Sequence, residues 1–214
     1  MPLAWENDFV YVPPKFQVDD DDAWRIVADA GAATLVLATA RGLVTAYAPV
    51  VVSDDKRAIY SHLAKANPWW REVTAGMDVL AVFVAASAYV SPSLYPSRRE
   101  NPHVVPTWNY AMVQVQGRIR LHDDDEWKLH QVRALTHHFE AGKDPEWLVD
   151  DMDAEFRLSQ LRAIVGLEIE VVDIEGKAKL SQNRPAIDQS SVRSHFAEGT
   201  PAERIVASHM RPVN

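Results

Sequence analysis

The chain has 214 residues, 47% of them hydrophobic and 24% charged, with a formal net charge of −8 and no cysteine. That length suits one domain with an appendage or two small domains, with ample material for a core. The acidic balance argues against a protein whose main work is gripping nucleic-acid phosphate, and the missing thiols exclude a disulfide framework or a thiolate metal site.

The first residues carry no basic region followed by a long apolar core, and the longest apolar runs are of strand length. The expectation is a cytoplasmic protein with no signal peptide and no membrane span. Pro13 and Pro14 predict an extended segment over residues 11–16. The acidic run at residues 19–22 opens a helix that carries Trp24, Val27 and Ala30 on one side and closes near Gly31. Residues 33–39 and 43–52 read as strands around the tight turn Ala40-Arg41-Gly42, and a second turn at residues 53–56 leads into a third short run at 57–61. Turns this short make the three strands antiparallel neighbours.

The stretch Ser61-His62-Leu63-Ala64-Lys65-Ala66-Asn67-Pro68-Trp69-Trp70-Arg71 comes next. Asn67 suits an N-cap and Pro68 a first helical position, predicting a helix through Trp69, Trp70 and Val73 that stops at Gly76. A helix start offers unpaired N–H groups to an anion. A phosphate would find the Ser61 hydroxyl and the cations His62, Lys65 and Arg71 nearby; an ordinary capped helix with a solvated lysine is the plain alternative.

Residues 78–85 form a strand apolar on both faces, and a proline- and serine-rich loop with Tyr89, Ser91 and Tyr95 follows. Residues 107–121 are the longest strand, with Ala111, Val113, Val115, Gly117, Ile119 and Leu121 on one face. Asp123 and Glu126 stand at capping-box spacing before a helix whose buried stripe is Leu129, Val132, Leu135 and Phe139 and which Gly142 ends. A short helix at 155–162, a sixth strand at 165–171 and a basic polar run at 177–185 precede a tail of one or two helices. In that tail Thr200, Pro201 and Glu203 form a helix start.

The expected fold is mainly β with helices: a six-stranded antiparallel closed barrel over residues 1–185, with peripheral helices and a C-terminal helical tail over 186–214. A two-sheet sandwich is the runner-up, and the missing strand–GxGxxG–helix unit argues against a Rossmann fold.

Neither a GxSxG elbow nor a Walker A sequence occurs. The histidines are scattered, and His130, His137 and His138 read as solvated helix residues, so no metal site is expected. No basic recognition helix is visible in the last third, so DNA is a partner that the charge does not support. What remains is Lys65 and Asn67, the Tyr89–Tyr95 loop, Thr107-Trp108-Asn109, and Lys179, Ser181, Gln182 and Asn183. Aromatic faces, amides and cations beside a phosphate site suit a flat heteroaromatic phosphate such as flavin mononucleotide (FMN). Core packing, a dimer interface and turn formation account for the same residues, and are the commoner fate of such side chains.

Five blocks look familiar together. They are Tyr11-Val12-Pro13, the run from His62 to Pro68, Ala88-Tyr89-Val90-Ser91-Pro92-Ser93, Val105-Pro106-Thr107-Trp108-Asn109-Tyr110, and the run from Lys179 to Pro185. In content and order they resemble the PaiB family, described as FMN-binding negative transcriptional regulators. The resemblance implies an FMN-binding split barrel, a homodimer with flavin at the subunit interface, and a phosphate contact from the Lys65 segment. It also implies that Trp108, Asn109 and the Ser181-Gln182-Asn183 run lie near the cofactor. One departure is Leu94, which stands where the family pattern has an aromatic residue. Two alternatives stay open: a small flavin-dependent oxidoreductase using NAD(P)H, for which Tyr89, Tyr95 and His103 are the loop groups with suitable chemistry, and a related haem-binding split barrel. No catalytic residue is assigned.

Overall fold

The computed structural model describes residues 11–211. They fall into two compact units, residues 28–83 with 114–174, and residues 11–27 with 84–113 and 175–211.

The first unit carries the barrel. Its strands are β1 (Ala32–Thr39), β2 (Gly42–Val52), β3 (Ala58–Ala64), β4 (Met77–Val90), β5 (Thr107–His122) and β6 (Ile164–Lys179). They close in the order β1-β2-β3-β6-β5-β4. The pairings are antiparallel: β1 and β2 run from Ala32↔Pro49 to Thr39↔Gly42, and β3 and β6 from Ala58↔Glu170 to Ala64↔Ile164. β1 also pairs with β4 through Thr34↔Val82. Closure leaves no free sheet edge. Alternation sends Leu35, Leu37, Ile59, Val115, Ile119, Leu167 and Ile169 into the interior, each fully buried.

Outside the barrel lie α2 (Asp125–Glu140) and α3 (Ala154–Arg162). Asp124, and not Asp123, caps α2, accepting from Trp127 N at 2.8 Å. The buried stripe of α2 is Lys128, Gln131 and Leu135, while Phe139 is exposed. The apolar pattern misplaces this face because α2 covers the outward side of β3, where Tyr60 and His62 stand, and polar groups there can be paired. Trp127 meets Tyr60 edge-on at 5.9 Å and stacks flat on His122 at 4.0 Å. A Cβ on Gly166 would run into the Trp127 ring, so only glycine lets β6 pass beneath it.

The second unit holds the far ends of β4, β5 and β6, most of α1 (Asp20–Ala30), and the helices α4 (Ala186–Ala197) and α5 (Pro201–His209). Ile26, Val27, Val192, Phe196 and Val206 are among its buried helical residues, and Met210, just past α5, is buried too. Thr200 and Glu203 form the expected capping box.

Several predicted bounds are corrected. The segment after Val12 is not wholly extended: Pro14–Phe16 make a 3-10 turn, which tolerates proline at its first position. β3, β4 and β6 run further than their apolar patterns, because ladder hydrogen bonds continue where the side chains become polar. Tyr89 therefore ends a strand, and Lys177 and Lys179 sit on β6. The predicted helix after Asn67 is a single 3-10 turn, Pro68–Glu72, and Val73 is already extended. Val73 and Thr74 are β-branched and poor at continuing a helix.

Candidate functional site

The expected site residues divide between the units. Ser61, His62, Lys65 and Asn67 belong to the barrel unit, and Tyr89, Ser91, Thr107, Trp108, Asn109, Lys179, Ser181, Gln182 and Asn183 to the other.

In the barrel unit, β3 alternation buries Ser61 inside, where its hydroxyl donates to Pro49 O at 2.7 Å. That hydroxyl is spent, so it is not a phosphate ligand in this arrangement. His62 points out to α2 and bonds Gln131 Oε1 through Nδ1 at 3.0 Å. Burial pulls its pKa below the ordinary histidine value, only partly offset by the Gln131 bond. The sequence reading asks it for a positive charge, and its surroundings favour the neutral ring. Asn67 accepts from Trp69 N at 3.0 Å as the predicted cap, which leaves its amide nitrogen outside the cap. A five-residue turn has no helix dipole to speak of, so the anion argument from a helix start falls away.

Lys65 is the group that keeps its predicted character. Its backbone N–H donates to Ala163 O at 2.8 Å, and its carbonyl accepts from the Trp70 indole at 3.0 Å. The ammonium sits 2.6 Å from the exposed carboxylate of Asp123. Asp123 also meets Lys128, whose side chain is 1% exposed and whose second partner is Asp125 at 2.9 Å. Lys65, with Lys128 beside it, holds the Asp123 carboxyl below its usual range. An exposed ion pair of this kind is worth about 0–1 kcal/mol. An incoming phosphate can therefore take Lys65 from Asp123 at little cost.

In the other unit, Lys179 on β6 reaches β5. Its ammonium donates to the Thr107 hydroxyl and to Trp108 O, the latter at 2.8 Å. Burial, then the neighbouring Lys177, pulls its pKa below the usual lysine range. Asn109 is wholly buried and exchanges hydrogen bonds with the Ser181 hydroxyl at 2.9 and 3.1 Å. Ser181 holds a positive φ of 66°, a conformation that serine adopts rarely. Gln182 folds back on its own segment, accepting from Leu180 N at 2.6 Å and donating to Ala178 O. Asn183 is exposed. Ser91 caps the 3-10 turn Pro92–Leu94. Tyr89 and Trp108 are about half exposed and meet edge-on at 6.3 Å.

These residues fit FMN in kind. A flavin ring asks for aromatic faces and donors, which Trp108, Tyr89 and Lys179 offer; a phosphate asks for a cation with a weakly held partner, which Lys65 offers.

The sequence reading missed one network. Asp188 on α4 is wholly buried; it accepts from Ser97 N at 3.0 Å and the Ser97 hydroxyl at 2.7 Å, and pairs with Arg184 at 2.6 Å. Arg184 in turn lies 4.3 Å over the buried Tyr95 ring. The four-residue spacing of Arg184 and Asp188 was the visible signal.

Comparison with known proteins bears on the family and the fold. Residues 10–173 match the family model described as "Putative FMN-binding domain". The chain is 33% identical over 186 residues to protease synthase and sporulation protein PAI 2 of Bacillus subtilis, covering 86% of this chain and 87% of that one. Its fold is similar to that of the FAD and haem binding protein from Mycobacterium smegmatis, with a TM-score of 0.56 and 16% identity over 76% of this chain and 73% of that one. It is also similar to the flavocytochrome Anf3 from Azotobacter vinelandii, with a TM-score of 0.55 and 13% identity over 75% and 67% of the two chains. At such identities these structures speak for the split-barrel fold alone.

Proposed function

Since the chain belongs to the PaiB family of FMN-binding domains and FMN is its cofactor, we propose that it is a flavin-loaded negative regulator of transcription that acts without reading DNA itself. Two observations support the last clause. The net charge is −8, and α5, the second helix of the C-terminal pair, carries one glutamate, Glu203, and one arginine, Arg204, where a reader of DNA carries a basic face.

The observation that carries the cofactor assignment at residue level is the Lys65–Asp123 pair, a cation whose partner is exposed and exchangeable. In this reading Lys65 and Asn67 bind the phosphate. In the other unit, taken by itself, the Asn109–Ser181 pair holds in shape the stretch of chain that carries Trp108 and Lys179. Bound FMN would supply electron transfer at its ring, and the residues around it bind and orient it. We further propose a homodimer. Leu43 and Tyr47 in one unit, and Val84, Tyr89 and Trp108 in the other, are exposed apolar side chains of the kind that an interface covers.

The test is a titration of the purified protein with FMN and with riboflavin, with the mass of the assembly measured alongside. FMN should bind as a dimer-bound flavin, far more tightly than riboflavin; equal affinities would refute the phosphate assignment. A sequence-dependent gel shift that survives moderate salt would overturn the indirect mode of regulation. A second reading, a flavin-dependent oxidoreductase, is favoured by Lys179, whose ammonium rests on neutral oxygens and could stabilise an electron-rich ring. Bleaching of bound flavin by NADH or NADPH would select it.

A further inference from the structure

A separate pocket of about 330 Å³ lies in the barrel unit, outside the barrel, walled by β3, α2, α3 and the 3-10 turn Val149–Asp151. That volume is at the small end of the range for sites that enclose small organic molecules. Val132, Val149, Met152 and Leu161 are the larger part of its apolar wall, and His62, Arg157 and Gln160 are its polar members.

One feature shows what such a ligand must bring. Asp150 is shared between two guanidiniums, Arg133 at 2.5 Å and Arg157 at 2.8 Å, so the two arginines divide one carboxylate between them. The adjacent carboxylates of Asp151 and Asp153 keep their charge and accept from Leu148 N and Phe156 N. Arg157 is the member that lines the pocket, and its side chain is 22% exposed, so a ligand there meets a partly buried guanidinium with further donors.

We propose that this pocket binds a small organic acid, an aromatic or short-chain aliphatic carboxylate, with its apolar body against Val149, Met152 and Leu161 and its carboxylate on Arg157. A neutral apolar molecule would leave Arg157 unanswered, and a phosphate would leave the apolar wall uncovered. The pocket lies next to Lys65 along the chain: His62 and Ala64, at the end of β3, line it and immediately precede the segment that the flavin reading uses. The site stands whether or not that reading holds, because none of its contacts involves flavin.

The experiment is calorimetric titration of the FMN-loaded full chain with benzoate, hexanoate and the neutral analogue benzamide. At least one acid should bind saturably, with benzamide about tenfold weaker or worse, as expected when a charge-assisted hydrogen bond is lost. Arg157→Gln should weaken the acid about tenfold and abolish the preference over benzamide. Val132→Phe, which adds a ring to the pocket wall from the surface of α2, should abolish binding while the FMN titration stays unchanged. If neither acid saturates the wild-type protein, if benzamide binds as well as benzoate, or if Arg157→Gln binds the acid like wild type, the proposal fails. Should Val132→Phe not fold, Arg157→Gln and the benzamide comparison decide the matter alone.

Discussion

Replacing Asp188 with alanine removes the one buried carboxylate that joins α4 to the turn at Ser97. Three groups lose their acceptor together: the Ser97 N–H, the Ser97 hydroxyl and the Arg184 guanidinium. Breaking a buried pair by removing one partner costs about 3–5 kcal/mol. The Arg184 side chain is 24% exposed and regains some water, which places this case near ~3 kcal/mol. For a chain of this size each kcal/mol moves the melting temperature by about 2–4 °C, so the expected drop is about 6–12 °C. Asp188→Asn keeps an acceptor for Ser97 but loses the charge opposite Arg184, and should fall between Asp188→Ala and Ser97→Ala. The last removes one hydroxyl donor and should cost about 1 kcal/mol. Thermal unfolding followed by tryptophan fluorescence orders the three. Asp188→Ala within 1 kcal/mol of wild type, or Ser97→Ala as damaging as Asp188→Ala, would refute the reasoning. The pH dependence has a definite sign. Burial raises the Asp188 pKa, but the Ser97 N–H, the Ser97 hydroxyl and Arg184 together bring it below its ordinary value. Its stabilisation is therefore full above the unfolded carboxylate value of about 3.9 and is lost as pH falls through the lower folded value. The gap between wild type and Asp188→Asn should close only in that acid range.

Lys65→Ala should weaken FMN by about 10–100-fold and leave riboflavin nearly unchanged, because the cation answers the phosphate alone; fluorescence quenching of both flavins checks this, and equal losses would remove Lys65 from the phosphate site. Gly166→Ala should destabilise by about 1–3 kcal/mol, since its methyl group must displace the Trp127 ring from His122; a neutral result in urea unfolding would mean that the ring gives way freely. Thr200→Ala opens the capping box at the start of α5 and should cost about 1 kcal/mol by the same unfolding assay. Trp108→Ala should alter the spectrum and affinity of bound FMN if the ring packs on the flavin, whereas a change confined to thermal stability would place it in packing instead.

What the amino-acid order determined by itself was whatever depends on near neighbours. Period-two alternation in residues 107–121 marked the long strand and its dry face, and Ala111, Val113, Val115 and Ile119 are indeed fully buried. Short turns at residues 40–42 and 53–56 made the first three strands antiparallel neighbours, and the pairings of β1, β2 and β3 follow. Asn67 and Thr200 were legible as caps because a cap bonds within three residues. Only the tertiary structure decided the rest, because those bonds join distant parts of the chain. Ser97 and Asp188 are 91 positions apart, and Asn109 and Ser181 are 72 apart. The state of His62 depends on Gln131, 69 positions away. Burial and pairing set whether a histidine is charged, whether a serine hydroxyl is free and whether a lysine can leave its partner, and neither is a local property. Strand ends escaped the sequence for a related reason. Backbone ladders carry β6 on through Lys177 and Lys179, where side-chain polarity alone announces a loop.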